Sequence, residues 1–178
     1  MTKAYYSTIF QQAAPEIWKI IRDFNNYPVW VGGAGESRIE HGKPGEAVGC
    51  IRDVVYQGRR IRQRLVALSD VERTQIYEFC GTPTLPVADF QACLRVTPVV
   101  DGGRAFVEWW ANFDCEPDRR AELSATLEGW FAKWLESLRA HLEGSSADPA
   151  PERPDSESEK PENRAGRPPL AAGLANFG

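Results

Sequence analysis

The hydrophobic pattern near the C-terminal end of the chain predicts one long amphipathic helix over residues 118–142. The apolar residues of this stretch recur at steps of three and four, which places them on one helix face. They are Leu123, Leu127, Trp130, Phe131, Trp134, Leu135, Leu138 and Leu142. Asp118 is placed to cap the first turn, and Gly144 with Ser145 to end the helix. Three aromatic side chains on one face need a broad apolar partner, which the upstream residues must supply.

Upstream of this helix, apolar and polar positions alternate, which predicts β-strands separated by turns rich in Gly, Pro and Asp. Seven strands are predicted, over residues 3–11, 37–41, 48–56, 61–69, 74–80, 90–99 and 104–114. Between the first two, Pro15 and the apolar residues that follow it predict a short helix, and residues 29–31 a second helical turn. Successive hairpins favour an antiparallel meander. The order predicts an α+β fold in which a curved seven-stranded sheet wraps around the long helix and leaves a cavity between them.

Composition divides the 178 residues into one domain, 1–143, and a tail, 144–178. The tail is rich in Pro, Glu, Ser and Arg and has almost no large apolar residue before Leu170, so we expect it to be disordered. A net charge of -4 without a basic block argues against a nucleic-acid partner. Since no apolar run reaches membrane-spanning length and the first residues lack a signal-peptide profile, we expect no stable membrane insertion and a cytoplasmic location.

Four cysteines lie far apart without a CxxC motif, and the chain has two histidines. The cysteines are Cys50, Cys80, Cys93 and Cys115. This spacing is typical of reduced thiols within strands, so we expect no zinc site, no other metal site and no cofactor.

The alternation within each strand predicts which side chains face the cavity. The predicted inner face consists of Arg52, Val54, Tyr56, Gln63, Leu65, Tyr77, Phe79, Phe90 and Ala92, with Trp130 and Trp134 on the helix opposite. Such an aromatic wall suits flat, unsaturated ligands. Arg52 places a permanent charge on this otherwise apolar face, so it either contacts a ligand oxygen or pairs within the protein.

The last predicted strand, 104–114, permits two orientations. Trp109 lies on its more apolar face, and Glu108 and Trp110 lie on the other. Periodicity alone therefore turns Glu108 away from the cavity.

Several motifs, together with the order of elements, resemble the START, birch-pollen-allergen and polyketide-cyclase superfamily (SRPBCC), in particular its polyketide cyclase/dehydratase-like branch. The motifs are Gly49-Cys50-Ile51-Arg52-Asp53-Val54, Arg64-Leu65, Asp70 with Glu72-Arg73, and residues 106–114. The resemblance covers roughly residues 3–142 and implies a helix-grip fold. It also implies that Glu108 and Trp110 face the cavity, and we adopt that orientation. Trp109 would then lie outside under a cover, which a second copy of the chain could supply as a homodimer.

Three functions are open at this point. The first is binding of a small hydrophobic molecule, polyketide-like or lipid-like, in the cavity. The second, implied by the resemblance, is a cyclase, dehydratase or isomerase in which Arg52 stabilises an oxyanion and Glu108 or Tyr56 transfers protons. The third is a protein-interaction module that uses an exposed Trp109 and the tail. A buried pair of Arg52 and Glu108 beside empty volume would favour the first two, and an apolar outer patch around Trp109 would favour the third.

Overall fold

A computed structural model describes residues 1–81 and 83–146, so the predicted tail lies outside the described residues from position 147 onward. The elements are β1 (Thr2–Phe10), α1 (Ala14–Ile21), α2 (Tyr27–Trp30), β2 (Ala34–Ile39), β3 (Ile51–Tyr56), β4 (Arg59–Ser69), β5 (Thr74–Phe79), β6 (Ala88–Val99), β7 (Arg104–Asp114) and α3 (Arg120–Ser146). Pro15 occupies the first turn of α1, whose buried side chains face the sheet.

The seven strands form one antiparallel sheet in the order β1-β7-β6-β5-β4-β3-β2. The core lies between the inner face of this sheet and the apolar stripe of α3, where Leu123, Leu127, Phe131 and Leu135 are almost fully buried. The predicted α+β helix-grip fold, with seven antiparallel strands and two short helices between the first two strands, is confirmed.

The ends of several elements differ from the prediction. Helix α3 continues through Gly144 to Ser146, so the prediction that Gly144 and Ser145 end the helix is wrong. A glycine inside a helix lowers helix stability by only about 1 kcal/mol relative to alanine, so a long, regularly hydrogen-bonded helix can continue through it. The helix also begins later, at Arg120, after a short 3-10 turn over Pro117–Arg119.

The orientation of β7 is opposite to the one adopted from the resemblance. Burial alternates strictly along the strand, and the buried set includes Val107, Trp109 and Phe113. Trp109 is 1% exposed, and its ring stacks on Phe131 of α3 with centroids 5.1 Å apart and planes at 11°. Trp109 therefore lies inside the protein, and the outer patch that would have needed a partner chain is not formed by it.

The predictions that Glu108 and Trp110 face the cavity are wrong. The carboxylate of Glu108 accepts a hydrogen bond from the Tyr5 hydroxyl at 3.2 Å and lies 3.8 Å from the Arg95 guanidinium, on the outer face of the sheet. The Trp110 ring on that face lies 5.4 Å from the Lys3 ammonium and 5.5 Å from the Arg95 guanidinium. Periodicity was the better guide because burying a carboxylate costs far more than leaving it at a hydrated surface.

Helix α3 also covers the outer edge of β1. Glu128 accepts the backbone N–H of Tyr5 at 3.4 Å, and Arg139 donates to the carbonyl of Ile9 at 3.0 Å and to the Thr8 hydroxyl at 3.1 Å. These contacts satisfy backbone groups that an uncovered edge strand would offer to another chain.

Among the described helices, none is long and apolar enough to cross a membrane.

Candidate functional site

A cavity of about 270 Å³ lies between the inner face of strands β3–β6 and helix α3. The described residues of its wall are Tyr27, Val54, Tyr56, Gln57, Arg59, Ile61, Gln63, Tyr77, Phe79, Thr84, Leu85, Phe90, Leu127, Trp130, Phe131 and Trp134. The deep part is formed by buried residues such as Tyr77 and Phe131, whereas Gln57 and Arg59 are exposed. The cavity therefore reaches the surface at the β3–β4 hairpin.

Most of the side chains predicted to face the cavity lie on its wall, namely Val54, Tyr56, Gln63, Tyr77, Phe79, Phe90, Trp130 and Trp134. Leu65 and Ala92 are fully buried but do not reach the wall. Glu108 and Trp110 are on the opposite face of the sheet, so they cannot contact a molecule in the cavity. Whether the wall residues bind a ligand stays a prediction.

Sequence reasoning missed Gln57 and Arg59 because it assigned them to a longer turn. The turn consists of two residues, Gln57 and Gly58, with φ angles of 49° and 76°. Two successive positive φ angles are typical of a tight hairpin turn, in which the strand resumes at the next residue. Arg59 is therefore the first residue of β4, and its partner across the hairpin is Tyr56. The glycine at the second turn position was the signal that could have found this.

Aromatic rings form most of the wall. Phe79 and Phe90 stack with centroids 4.3 Å apart, and Trp134 meets the Tyr56 ring edge-on at 5.5 Å. Trp130 lies beside Trp134 at 5.9 Å. These rings are held by contacts with one another, so their faces and edges form a surface organised before any ligand enters.

Arg52 faces inward, as predicted, but it lies behind the wall of the cavity. Its side chain is buried, and the guanidinium donates to the carbonyl of Phe24 at 2.7 Å and to Oε1 of Gln63. The rings of Phe24 and Tyr27 lie 3.9 and 4.1 Å from its central carbon. Burial lowers the pKa of Arg52 below its ordinary value. The predicted pair of Arg52 with Glu108 is wrong, since carbonyl oxygens and aromatic faces take the place of a carboxylate.

The contact with Arg52 decides how the Gln63 amide is oriented. A guanidinium can only donate hydrogen bonds, so the amide oxygen of Gln63 must point toward Arg52. The remaining group of this side chain is its NH₂, and Gln63 forms part of the cavity wall. The wall therefore carries an amide donor whose direction is set by a residue behind it.

Two tyrosines of the wall have hydroxyls that are held in a similar way by tryptophans. Trp134 Nε1 donates to the Tyr56 hydroxyl at 2.9 Å, and Trp109 Nε1 donates to the Tyr77 hydroxyl at 3.0 Å. Since an indole N–H is only a donor, each hydroxyl oxygen acts as the acceptor in these contacts. Burial raises the pKa of Tyr77 well above its ordinary value, so this hydroxyl stays protonated at neutral pH.

Within residues 1–81 and 83–146, no group of three or more His, Cys, Asp or Glu side chains comes together in a way that could hold a metal ion. The described part of the wall also contains no carboxylate or imidazole, and Arg59 is its single charged residue. The arrangement combines aromatic faces, the oriented polar groups of Gln63 and Tyr56, and one cation at the surface.

Comparison with known proteins gives the family. The family described as polyketide cyclase/dehydrase and lipid transport matches residues 1–143. No curated protein matches the chain. Among solved structures, the protein XoxI from Bacillus cereus is 23% identical, with 82% of this chain and 99% of that chain covered and a TM-score of 0.71. A protein from Nitrosospira multiformis is 20% identical, with coverages of 82% and 99% and a TM-score of 0.68.

A further similar structure is the di-domain ARO/CYC BexL from the BE-7585A biosynthetic pathway, with 14% identity and a TM-score of 0.70. The match covers 83% of this chain and 48% of BexL, so the chain spans about half of that protein. At such low identities these structures are evidence for the fold alone. The match over residues 1–143 shows that the chain belongs to the polyketide cyclase/dehydrase and lipid transport family.

Proposed function

We propose that this protein binds a small, flat aromatic molecule in the cavity between the sheet and α3. The observation that carries the proposal is the preformed aromatic wall, in which the stacked pair of Phe79 and Phe90 and the tryptophans Trp130 and Trp134 surround about 270 Å³ of space. Small-molecule sites have volumes of about 300–1,000 Å³ and are mostly apolar with a few oriented polar groups. A cavity just below that range fits a compound of two or three fused rings.

A catalytic role as a cyclase or dehydratase has less support from the geometry. Glu108, one of the two predicted proton carriers, is on the outer face, and the described wall contains no carboxylate or imidazole. Arg52 is engaged by Phe24 and Gln63 and does not reach the wall. Tyr56 is the one predicted catalytic residue that lines the cavity, so binding is the function that the site supports better.

The interaction-module hypothesis also loses its main support. It depended on an exposed Trp109, and this side chain is 1% exposed and stacked in the core. Because Trp109 is buried, it gives no reason to expect a homodimer that covers it.

The proposal is tested by titrating the protein with fluorene and 9-fluorenone, two neutral three-ring probes, and following tryptophan fluorescence. Ile61→Phe adds volume on the cavity wall, while Ile9→Phe makes the same change on β1, outside the cavity. Because overfilling a packed site costs about 1–3 kcal/mol, Ile61→Phe should weaken binding about tenfold and Ile9→Phe should leave it unchanged. Circular dichroism confirms that both variants are folded.

Two results would contradict the proposal. One is the lack of saturable binding across a panel of two-ring and three-ring aromatic compounds. The other is equal affinity of wild-type protein and Ile61→Phe, which would place the probes elsewhere. As an independent test, native mass spectrometry of protein purified from its own host, followed by organic extraction, would identify a molecule that the cavity holds in the cell.

A further inference from the structure

The charge on the cavity wall is at its outer end, on Arg59. This residue is directly opposite Tyr56 in the β3–β4 pair. Residues directly opposite each other in an antiparallel pair project to the same face of the sheet. Because Tyr56 faces the cavity, Arg59 begins on the same face, and its side chain forms part of the exposed end of the wall.

Arg59 differs from the arginines that follow it on β4. The outer face of β4 carries Arg60, Arg62 and Arg64. Each of these arginines forms an ion pair with a carboxylate at 2.5–2.9 Å. The guanidinium of Arg59 has no ion pair or side-chain hydrogen bond with any described residue. Its donors therefore remain available to a molecule that enters the cavity.

The inner polar groups of the wall point to the same ligand chemistry. Gln63 has its oxygen engaged by Arg52, so its free group is the NH₂ donor. The hydroxyl of Tyr56 already accepts the indole N–H of Trp134 on the same wall, which leaves the hydroxyl proton for a further acceptor. The oriented groups inside the cavity thus favour acceptor oxygens, as in a ketone or quinone, over hydroxyl donors.

We infer that the ligand is a flat aromatic acid whose carboxylate contacts Arg59 at the open end of the cavity and whose carbonyl oxygen lies among the donors inside. This inference rests on the proposed function, since it names the class of molecule that the same cavity takes. A guanidinium matches the planar geometry of a carboxylate and binds it through two parallel hydrogen bonds.

The carboxylate contact is tested with two probes of the same shape, 9-oxofluorene-2-carboxylate and its neutral carboxamide. Wild-type protein should bind the acid about tenfold more tightly than the amide, because a hydrogen bond between charged groups is stronger than a neutral one. Arg59→Gln should bind both equally. Arg120→Gln is the matched control, since Arg120 is another exposed arginine that forms no ion pair or side-chain hydrogen bond with a described residue, at the start of α3 and away from the wall.

The outcomes separate this inference from the proposed function. Equal binding of acid and amide by wild-type protein overturns the role of Arg59 and leaves aromatic binding intact. A failure of both probes and of neutral fluorene to bind removes the proposed function itself. An equal loss of acid binding in Arg59→Gln and Arg120→Gln also overturns the inference, because the preference would then reflect overall charge.

The inner donors are tested separately with Gln63→Glu. A glutamate at this position keeps an oxygen for Arg52 and stays ionised beside that guanidinium, but it removes the N–H that Gln63 presents. Wild-type protein should therefore prefer 9-fluorenone, which has a carbonyl oxygen, over fluorene, and Gln63→Glu should lose that preference. A wild-type protein that binds the two equally, or a variant that keeps the preference, would contradict the inference about the carbonyl.

Discussion

Replacement of Trp109 and of Trp110 by alanine measures the orientation of β7 directly. The two tryptophans are neighbours in sequence and differ in the face of the sheet to which they project. Trp109 is 1% exposed and contacts Phe131 and Trp134, whereas Trp110 lies half-buried on the outer face. The same substitution at adjacent positions should therefore have very different effects on the free energy of unfolding.

The expected effects follow from the contacts of each ring. Removal of a fully buried tryptophan costs about 3–5 kcal/mol, including the cavity that it leaves. Trp109→Ala also removes the hydrogen bond to the Tyr77 hydroxyl. Trp110 makes cation–π contacts with Lys3 and Arg95. Such contacts at exposed sites are worth about 0.5–1 kcal/mol each, so Trp110→Ala should cost about 1–2 kcal/mol.

Urea denaturation followed by far-ultraviolet circular dichroism gives both free energies, with equal denaturant slopes as the test that unfolding stays two-state. Because small domains have a total stability of about 5–15 kcal/mol, Trp109→Ala could leave too little folded protein to measure. The milder pair of Trp109→Phe and Trp110→Phe then replaces it, with the larger loss again expected at position 109. Equal losses, or a larger loss at position 110, would refute the assigned orientation.

Three further predictions concern acid stability, thiol reactivity and the edge of the sheet. The Arg22 guanidinium holds the pKa of Asp70 at about 2, below its ordinary 3.8. The ionised Asp70 carboxylate therefore stabilises the fold fully above about pH 4, and this stabilisation is lost as the pH falls toward 2. Asp70→Asn should be less stable than wild type in urea at pH 6, with the difference vanishing near pH 2. Burial raises the pKa of the Cys93 thiol to about 12, so mass spectrometry after brief treatment with a thiol reagent should find Cys80, which is more accessible, modified well before Cys93. Arg139→Ala should lower the free energy of unfolding by about 1 kcal/mol in urea titrations, because the edge of β1 loses its charged donor, and an unchanged stability would show that water replaces it.

The fold was predictable because its strongest signals are long and periodic. The apolar stripe of α3 runs from Leu123 to Leu142, about five and a half helical turns. Strand β7 alternates over its whole length at the predicted bounds of Arg104–Asp114. Both patterns reflect large burial on one face only, which leaves few alternative arrangements. Short elements without such a face were placed less well, as the later start of β3 at Ile51 illustrates.

The candidate site was predictable only where alternation reached it. Tyr56, Gln63 and Tyr77 were placed on the wall because they lie within regular strands. Arg59 follows a two-residue turn whose first residue, Gln57, is not a glycine despite its positive φ angle. The prediction therefore starts the next strand two residues too late, and Arg59 falls in the predicted turn. Thr84 lies in the loop between β5 and β6, where no alternation of apolar and polar residues indicates which way a side chain points. The prediction for Glu108 is wrong because it follows the resemblance to the superfamily, whereas the apolar alternation of β7 indicates the opposite orientation.

Residues that stabilise the core also decide the polarity of the cavity. Arg52 is buried without a carboxylate, and the rings and carbonyl oxygens around it offset part of the lost hydration. Its contact with Gln63 turns an amide, which could have presented either group, into a donor on the wall. Trp134 has the same effect on the hydroxyl of Tyr56 through its indole N–H group. A relative can therefore keep the helix-grip fold and select a different ligand if it changes these supporting residues, even when the aromatic wall is the same.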